Sequence, residues 1–307
     1  MSLGFMFPGQ GSQTVGMLTE VAEQHAEIVE HFQRASDAID QPLWDIVRDG
    51  PEQALNSTAI TQPALLVASV ALWNIWLGAG GTRPEMVAGH SLGEYSALVC
   101  AGSLSREDGA RLVHERGKLM QQAVPHGVGA MAAVLGLEDD QVRECCEAAT
   151  GVVTVANFNA PGQVVIAGAA AAVDDAAERC KQVGARRAVL LPVSGPFHCE
   201  LMKPAQQEFA AVLDSVDLTM PQIVVVHNVD ARVADNVQEL REKLMAQIAQ
   251  PVLWTRCAQA MIAAGVDRLV ECGPGKVLSG LLRRIDGSID TDALGSLDGL
   301  SAALSRE

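Results

Sequence analysis

Short runs rich in branched and aromatic residues alternate with longer stretches of helical periodicity along this chain, and that alternation restricts it to a mainly parallel sheet covered by helices. The pattern predicts strands near Leu3 to Phe7, Met86 to Ala88, Arg187 to Val193, Ile223 to Val226 and Arg268 to Cys272. Each runs into a turn or a helix start, so functional side chains are expected at the C-terminal ends of the strands. Between residues 127 and 192 the rhythm changes to strand (Ala130 to Leu135), helix (Asp139 to Ala149), strand (Val152 to Asn157), strand (Gln163 to Ala167), helix (Ala170 to Val183), strand. That βαββαβ order predicts a ferredoxin-like subdomain inserted into a larger α/β unit, with a cleft at their boundary. The last stretch of about twenty residues, small and acidic, reads as a surface tail.

Charge narrows the function classes. With 22 Lys and Arg against 37 Asp and Glu, the formal net charge is −15. General affinity for nucleic acid or an anionic membrane surface needs clustered cations, so neither partner is expected. Seven cysteines lack paired Cys-x-x-Cys spacing and no signal-peptide pattern opens the sequence, which predicts a reducing, cytoplasmic setting. The most apolar stretch, Pro63 to Leu77, is broken by Ser69 and Asn74 and is shorter than the roughly 20 residues of a bilayer span. It predicts a buried helix entered through Thr61 and Pro63.

The chemistry centres on Gly89-His90-Ser91-Leu92-Gly93. A predicted strand leads into this motif and a small-residue helix leaves it, so Ser91 sits on a tight strand-to-helix turn with its hydroxyl exposed as a nucleophile. Among the histidines, His25, His31, His114 and His126 lie in polar sequence and read as solvated, and His90 reads as packing or support. His198 follows a strand and the turn Ser194-Gly195-Pro196-Phe197, which makes it the best base. No Asp or Glu closes a strand between Ser91 and His198, so the histidine must be oriented by a neutral group such as a backbone carbonyl. That suffices for a thioester, which is more reactive than an amide. The first strand runs into Pro8-Gly9-Gln10-Gly11-Ser12-Gln13, a loop whose backbone N–H groups can face an oxyanion. Phosphate-loop spacings are absent, and Gly273-Pro274-Gly275-Lys276 reads as a structural turn.

Arg116 stands out by its position. It lies in a helix that starts with a capping box at Ser105 and Asp108. At about 100° per residue, Gly109, Leu112, Val113, Leu119, Met120 and Ala123 all share its face. A buried guanidinium is costly unless paired, and its planar fork suits a carboxylate. The helix geometry leaves two partners open, a protein acid or a carboxylate on a substrate.

The segments FPGQGSQ (Phe7 to Gln13), GHSLGEYSALVCAG (Gly89 to Gly102), RGK at Arg116, ANFNAPGQVVIAG (Ala156 to Gly168), FHCELMKP around His198, QPVLW (Gln250 to Trp254) and CGPGKVL from Cys272 resemble the malonyl-CoA:acyl carrier protein transacylases of bacterial fatty acid synthesis. The resemblance covers nearly the whole chain. It implies an α/β-hydrolase-like core (residues 1–126 and 193–307) with the ferredoxin-like subdomain at 127–192. It also implies transfer of malonyl from malonyl-CoA to an acyl carrier protein through Ser91, with His198 as base and Arg116 as ligand of the malonyl carboxylate. Backbone N–H groups of Gln10 and Leu92 would form the oxyanion hole, the Gln247 main-chain carbonyl would orient His198, and Asn159 would line the cleft. Phe197, before the histidine, goes with malonyl in related acyltransferases of polyketide synthesis, though not in the nearest stand-alone ones. No metal or resident cofactor is implied, because phosphopantetheine arrives on the carrier. Docking of an acidic carrier on an acidic chain directs attention to Lys181, Arg186, Arg187, Lys276, Arg283 and Arg284. A serine thioesterase or hydrolase, and a silent carrier-binding module, are the competing classes, and the equivalent transacylase of polyketide synthesis or malonate decarboxylation is the alternative within the same chemistry.

Overall fold

The computed structural model describes residues 2–125 and 127–307, so His126 lies outside the described residues. Nine strands among them form two sheets. In chain order they are β1 (Leu3–Phe7), β2 (Met86–Gly89), β3 (Gly129–Leu135), β4 (Val153–Ala160), β5 (Gln163–Ala169), β6 (Arg187–Leu190), β7 (Val224–Val226), β8 (Arg268–Glu271) and β9 (Asp290–Ala293). The larger sheet runs β7-β2-β1-β8-β9 with every pairing parallel. Its central strand, β1, is buried at all positions, as a strand covered by helices on both faces must be. The smaller sheet runs β4-β5-β3-β6 with every pairing antiparallel. Helices Asp139–Ala148 and Ala170–Gln182 cover it around an apolar cluster of its own that includes Val134, Phe158, Ile166 and Val173.

Register brings the loops of interest together. Phe7 pairs with Gly89 and Met6 with Glu271, so segments 8–13, 90–93 and 273–276 leave the larger sheet at one edge. The smaller sheet is stitched beside it, Phe158 N–H donating to Val252 O and Val252 N–H to Ala156 O, each at 2.9 Å.

Four expectations are corrected. The strand at Arg187 closes the smaller sheet against β3, as the βαββαβ order has it, but stops at Leu190 rather than Val193, so His198 is reached by a loop out of that sheet. The C-terminal residues are no tail: β9 pairs with β8, helix Leu297–Leu304 buries Leu300 and Ala303, and buried Arg268 holds Asp292 at 2.9 Å and Glu307 at 2.5 Å. Small residues there permit close packing, and three of the acids, Asp290, Asp292 and Glu307, are paired with Arg268 or Arg306.

The apolar helix is the third correction. It spans Thr58–Gly78, 21 residues, with Pro63 inside it. Proline lacks an N–H, which leaves the Ala59 carbonyl without its helical donor. His114 Nδ1–H donates to that carbonyl at 2.7 Å, so His114 is a buried structural residue rather than a solvated one, the fourth correction. The helix has the length and composition of a membrane span, yet 89% of its apolar window is buried inside the protein.

Candidate active site

Two glycines shape the turn at Ser91. A Cβ on Gly89 would stand 1.9 Å from Gly93 C, and one on Gly93 would stand 2.0 Å from Phe7 O, so β2 and the helix Gly93–Cys100 meet closely only without side chains. Between them Ser91 takes φ 51°, a left-handed conformation that costs a residue with a Cβ about 1–3 kcal/mol. Its backbone is held on both sides. Ser91 N–H donates to Asn228 Oδ1 at 2.7 Å, and Ser91 O accepts from Gln247 Nε2 at 2.9 Å.

His198 Nε2 lies 2.7 Å from Ser91 Oγ, and its Nδ1 lies 2.7 Å from Gln247 O. A carbonyl only accepts, so Nδ1 carries the proton and Nε2 is free to accept from the serine hydroxyl. Burial, with the Arg116 guanidinium beside it, holds the His198 pKa down to about 3, so the ring is neutral at pH 7.

Arg116 is 1% exposed and comes from helix Arg106–Gln122, whose N-cap Ser105 accepts from Asp108 N–H as the capping pattern requires. Its Nη2 donates to Ser91 Oγ at 3.2 Å and to Gln247 Oε1 at 2.8 Å, and its Nη1 donates to Gln62 Oε1 at 2.8 Å. The guanidinium also lies 5.1 Å from the centre of the Tyr95 ring. All of these neighbours are neutral, and Nε is buried without a partner among the described residues. Burial lowers the Arg116 pKa, the mark of a desolvated cation.

These groups line a cleft of about 570 Å³, partly open to solvent, between the two sheets. Gln10, Ser91, Leu92, Arg116, Val193, Phe197 and His198 face it from the larger unit, and Met131, Asn157 and Leu191 from the smaller one. The N–H groups of Gln10 and Leu92 make no hydrogen bond to another described residue. Asn159 does not line the cleft. Its side chain lies 2.8 Å from Nε2 of His90, which is itself a lining residue, while Asn157, two residues earlier on the same strand, lines the cleft directly.

A family model described as an acyl transferase domain matches residues 4–284. The malonyl CoA-acyl carrier protein transacylase of Escherichia coli K12 is 51% identical over 302 residues, 98% of each chain. This chain belongs to the malonyl CoA-acyl carrier protein transacylase family. An acyl carrier protein S-malonyltransferase structure from Vibrio cholerae superposes with TM-score 0.95 at 49% identity, covering 98% of this chain and 99% of that one. A malonyl-transacylase solved in complex with a type II PKS acyl-carrier protein superposes with TM-score 0.98 at 45% identity over the whole of both chains.

In this transacylase-family chain, three site residues have no role in the motif reading: Gln62, Asn228 and Glu94, the last inside a quoted motif. Gln62 is one of two amides, with Asn74, in an apolar helix, and Asn228 closes the region after β7, at the strand end where site residues gather. Both signals were present in the sequence. Glu94 gives itself away less, since an acid in the first turn of a helix is ordinary. Of the candidate docking cations, Lys181 is paired with Glu178 at 3.3 Å, and Arg284 braces the β4–β5 turn by donating to Gln163 Oε1 and Pro161 O.

Proposed function

We propose that this chain transfers malonyl from malonyl-CoA to the phosphopantetheine thiol of an acyl carrier protein in two steps, through a covalent malonyl-Ser91. The observation that carries the reading is Arg116: a fully buried cation with neutral neighbours, 3.2 Å from the serine hydroxyl, suited to the far carboxylate of a malonyl group. In the first step His198 Nε2 takes the Ser91 proton as Oγ attacks the thioester carbonyl. The oxyanion is met by the N–H groups of Gln10 and Leu92. Collapse breaks the C–S bond, and the departing CoA sulfur receives the proton from His198. In the second step His198 takes the proton of the carrier thiol, the thiolate attacks the malonyl ester, and Ser91 leaves with that proton restored. The Gln247 carbonyl keeps His198 in the tautomer both steps need. Every step uses this chain's own groups and calls for no metal or resident cofactor.

Further support comes from the architecture. The parallel sheet with its serine turn favours an α/β-hydrolase-like core (residues 1–126 and 193–307). The β4-β5-β3-β6 order and separate apolar cluster favour a ferredoxin-like subdomain at 127–192. Seven free, buried cysteines favour a cytoplasmic setting. Intact-mass measurement after brief exposure to malonyl-CoA tests the reading: one malonyl adduct on the wild type and none on Ser91→Ala supports it, and an adduct retained by Ser91→Ala overturns it.

A further inference from the structure

Glu94 is a fully buried carboxylate to which the transfer chemistry assigns no step. One of its oxygens accepts from His227 Nδ1 at 2.7 Å. The other accepts from Asn228 N–H at 3.0 Å and from Gln247 Nε2 at 2.8 Å. These two residues are the ones that hold the reacting groups. Asn228 accepts from Ser91 N–H and donates to Gly89 O at 2.7 Å, bracing both ends of the turn. Gln247 donates to Ser91 O, accepts from Arg116 Nη2, and offers its backbone carbonyl to His198.

An amide has two ends, and only one orientation of Gln247 satisfies this arrangement. The carboxylate of Glu94 demands the NH2 group on its side, which turns Oε1 toward the Arg116 guanidinium. The carboxylate shares a hydrogen-bond network with a desolvated arginine, and the Gln247 amide between them is polarised from both ends. The left-handed Ser91 backbone is strained and persists only while its N–H and C=O are both held. We propose that Glu94 is the positioning residue of this site: through Asn228 it sets the Ser91 turn, and through Gln247 it sets the Arg116 fork that selects the acyl group. The proposal rests on Ser91 and Arg116 having the roles given above, a premise that the Ser91→Ala adduct measurement tests separately.

Glu94→Gln keeps the shape but puts an NH2 group where one of three donors pointed, and removes the anion. Loading from malonyl-CoA should fall about 10- to 100-fold in kcat, the scale of misplacing a reacting group by a fraction of an ångström to one ångström. The readout that a merely structural role leaves unmoved is the ratio of kcat/KM for malonyl-CoA to that for acetyl-CoA, which should also fall, because the Arg116 fork has lost its clamp. Asn228→Ala removes the Ser91 brace and, on the Gln247 side, only a 3.3 Å contact to Nε2 that leaves the Glu94 and Arg116 bonds of that amide in place, so it should slow both acyl groups by similar factors and leave that ratio nearly unchanged. In an Arg116→Ala background, Glu94→Gln should no longer alter the ratio. Rates are normalised to folded active sites by titration with a serine-directed sulfonyl fluoride. A Glu94→Gln enzyme whose active fraction keeps wild-type kcat and acyl ratio overturns the proposal. Should that variant not fold, Asn228→Ala decides: equal slowing of both acyl groups supports the bracing, and wild-type rates overturn it.

Discussion

Replacing Arg116 by alanine should convert a malonyl-selective site into an indifferent one. The guanidinium is 1% exposed, lies 3.2 Å from Ser91 Oγ, and among the described residues is satisfied only by the neutral oxygens of Gln62, Gln247 and Ser91. A malonyl carboxylate entering this cleft gains a charge-assisted, bidentate partner that was already desolvated, so little new desolvation opposes the pairing. Removing one member of such a pair costs about 2–4 kcal/mol of transition-state binding, and at about 1.36 kcal/mol per tenfold this is roughly a 30- to 900-fold loss in kcat/KM for malonyl-CoA. Acetyl-CoA has no carboxylate and leaves the cation unpaired, so its kcat/KM should fall by less than about threefold, or rise. Arg116→Lys should recover only part of the malonyl rate, because an ammonium cannot reproduce the fork. The assay is single-turnover loading of both thioesters on wild type and variant, with a melting curve to detect damage from the unpaired Gln62 and Gln247 oxygens. An unchanged malonyl-to-acetyl ratio would refute the carboxylate-binding role.

Other outcomes follow from the same geometry. His198→Ala should slow loading by about 10² to 10⁴, the usual worth of a positioned base, as read by stopped-flow release of CoA. Because burial holds His198 near pKa 3, the base stays neutral through the physiological range, and the acid limb of kcat/KM in the wild type should fall below pH 5. The same depression makes the unfolded state bind a proton below about pH 6.5 that the folded state refuses until about pH 3, so stability falls as pH drops across that window. Between pH 7 and 5 this contributes roughly 2 kcal/mol to the wild type's loss of stability in urea and nothing to that of His198→Ala. Arg187→Glu, on an exposed edge strand, should raise the carrier KM and its salt sensitivity while leaving loading from malonyl-CoA unchanged. Arg284 is the poorer probe, since it also braces the β4–β5 turn.

Much of the architecture was legible because it rests on periodicity and on glycines. The βαββαβ segment could be read to within a few residues, since its strands and helices bury alternating or helical stripes around their own core. Ser91 was legible because only a strand-to-helix turn with glycines two residues either side gives the pattern its sense. Arg116 was legible because a charge in an apolar stripe violates the burial rule. What escaped depended on contacts distant in sequence. The Thr58–Gly78 helix runs through Pro63 only because His114, 55 residues from Ala59, supplies the missing donor. The β9 edge and its helix close onto Arg268 by ion pairs that composition hides. Asn157 and Asn159 are two apart on one strand and would share a face in a regular one, but the register shift between Phe158 and Ala160 makes Asn159 the extra residue and parts them. Glu94 and Asn228 come together across 134 residues, beyond the reach of any local pattern.

The account stands most directly on the fate of a labelled malonyl group. Wild-type protein is mixed with radiolabelled malonyl-CoA, quenched in denaturant, and in a parallel sample chased with phosphopantetheinylated acyl carrier protein. Label should remain on Ser91 without carrier and pass to the carrier thiol, as one malonyl per Ser91, when carrier is added. Release as free malonate at a comparable rate with or without carrier, or transfer to the carrier by Ser91→Ala, would contradict the account.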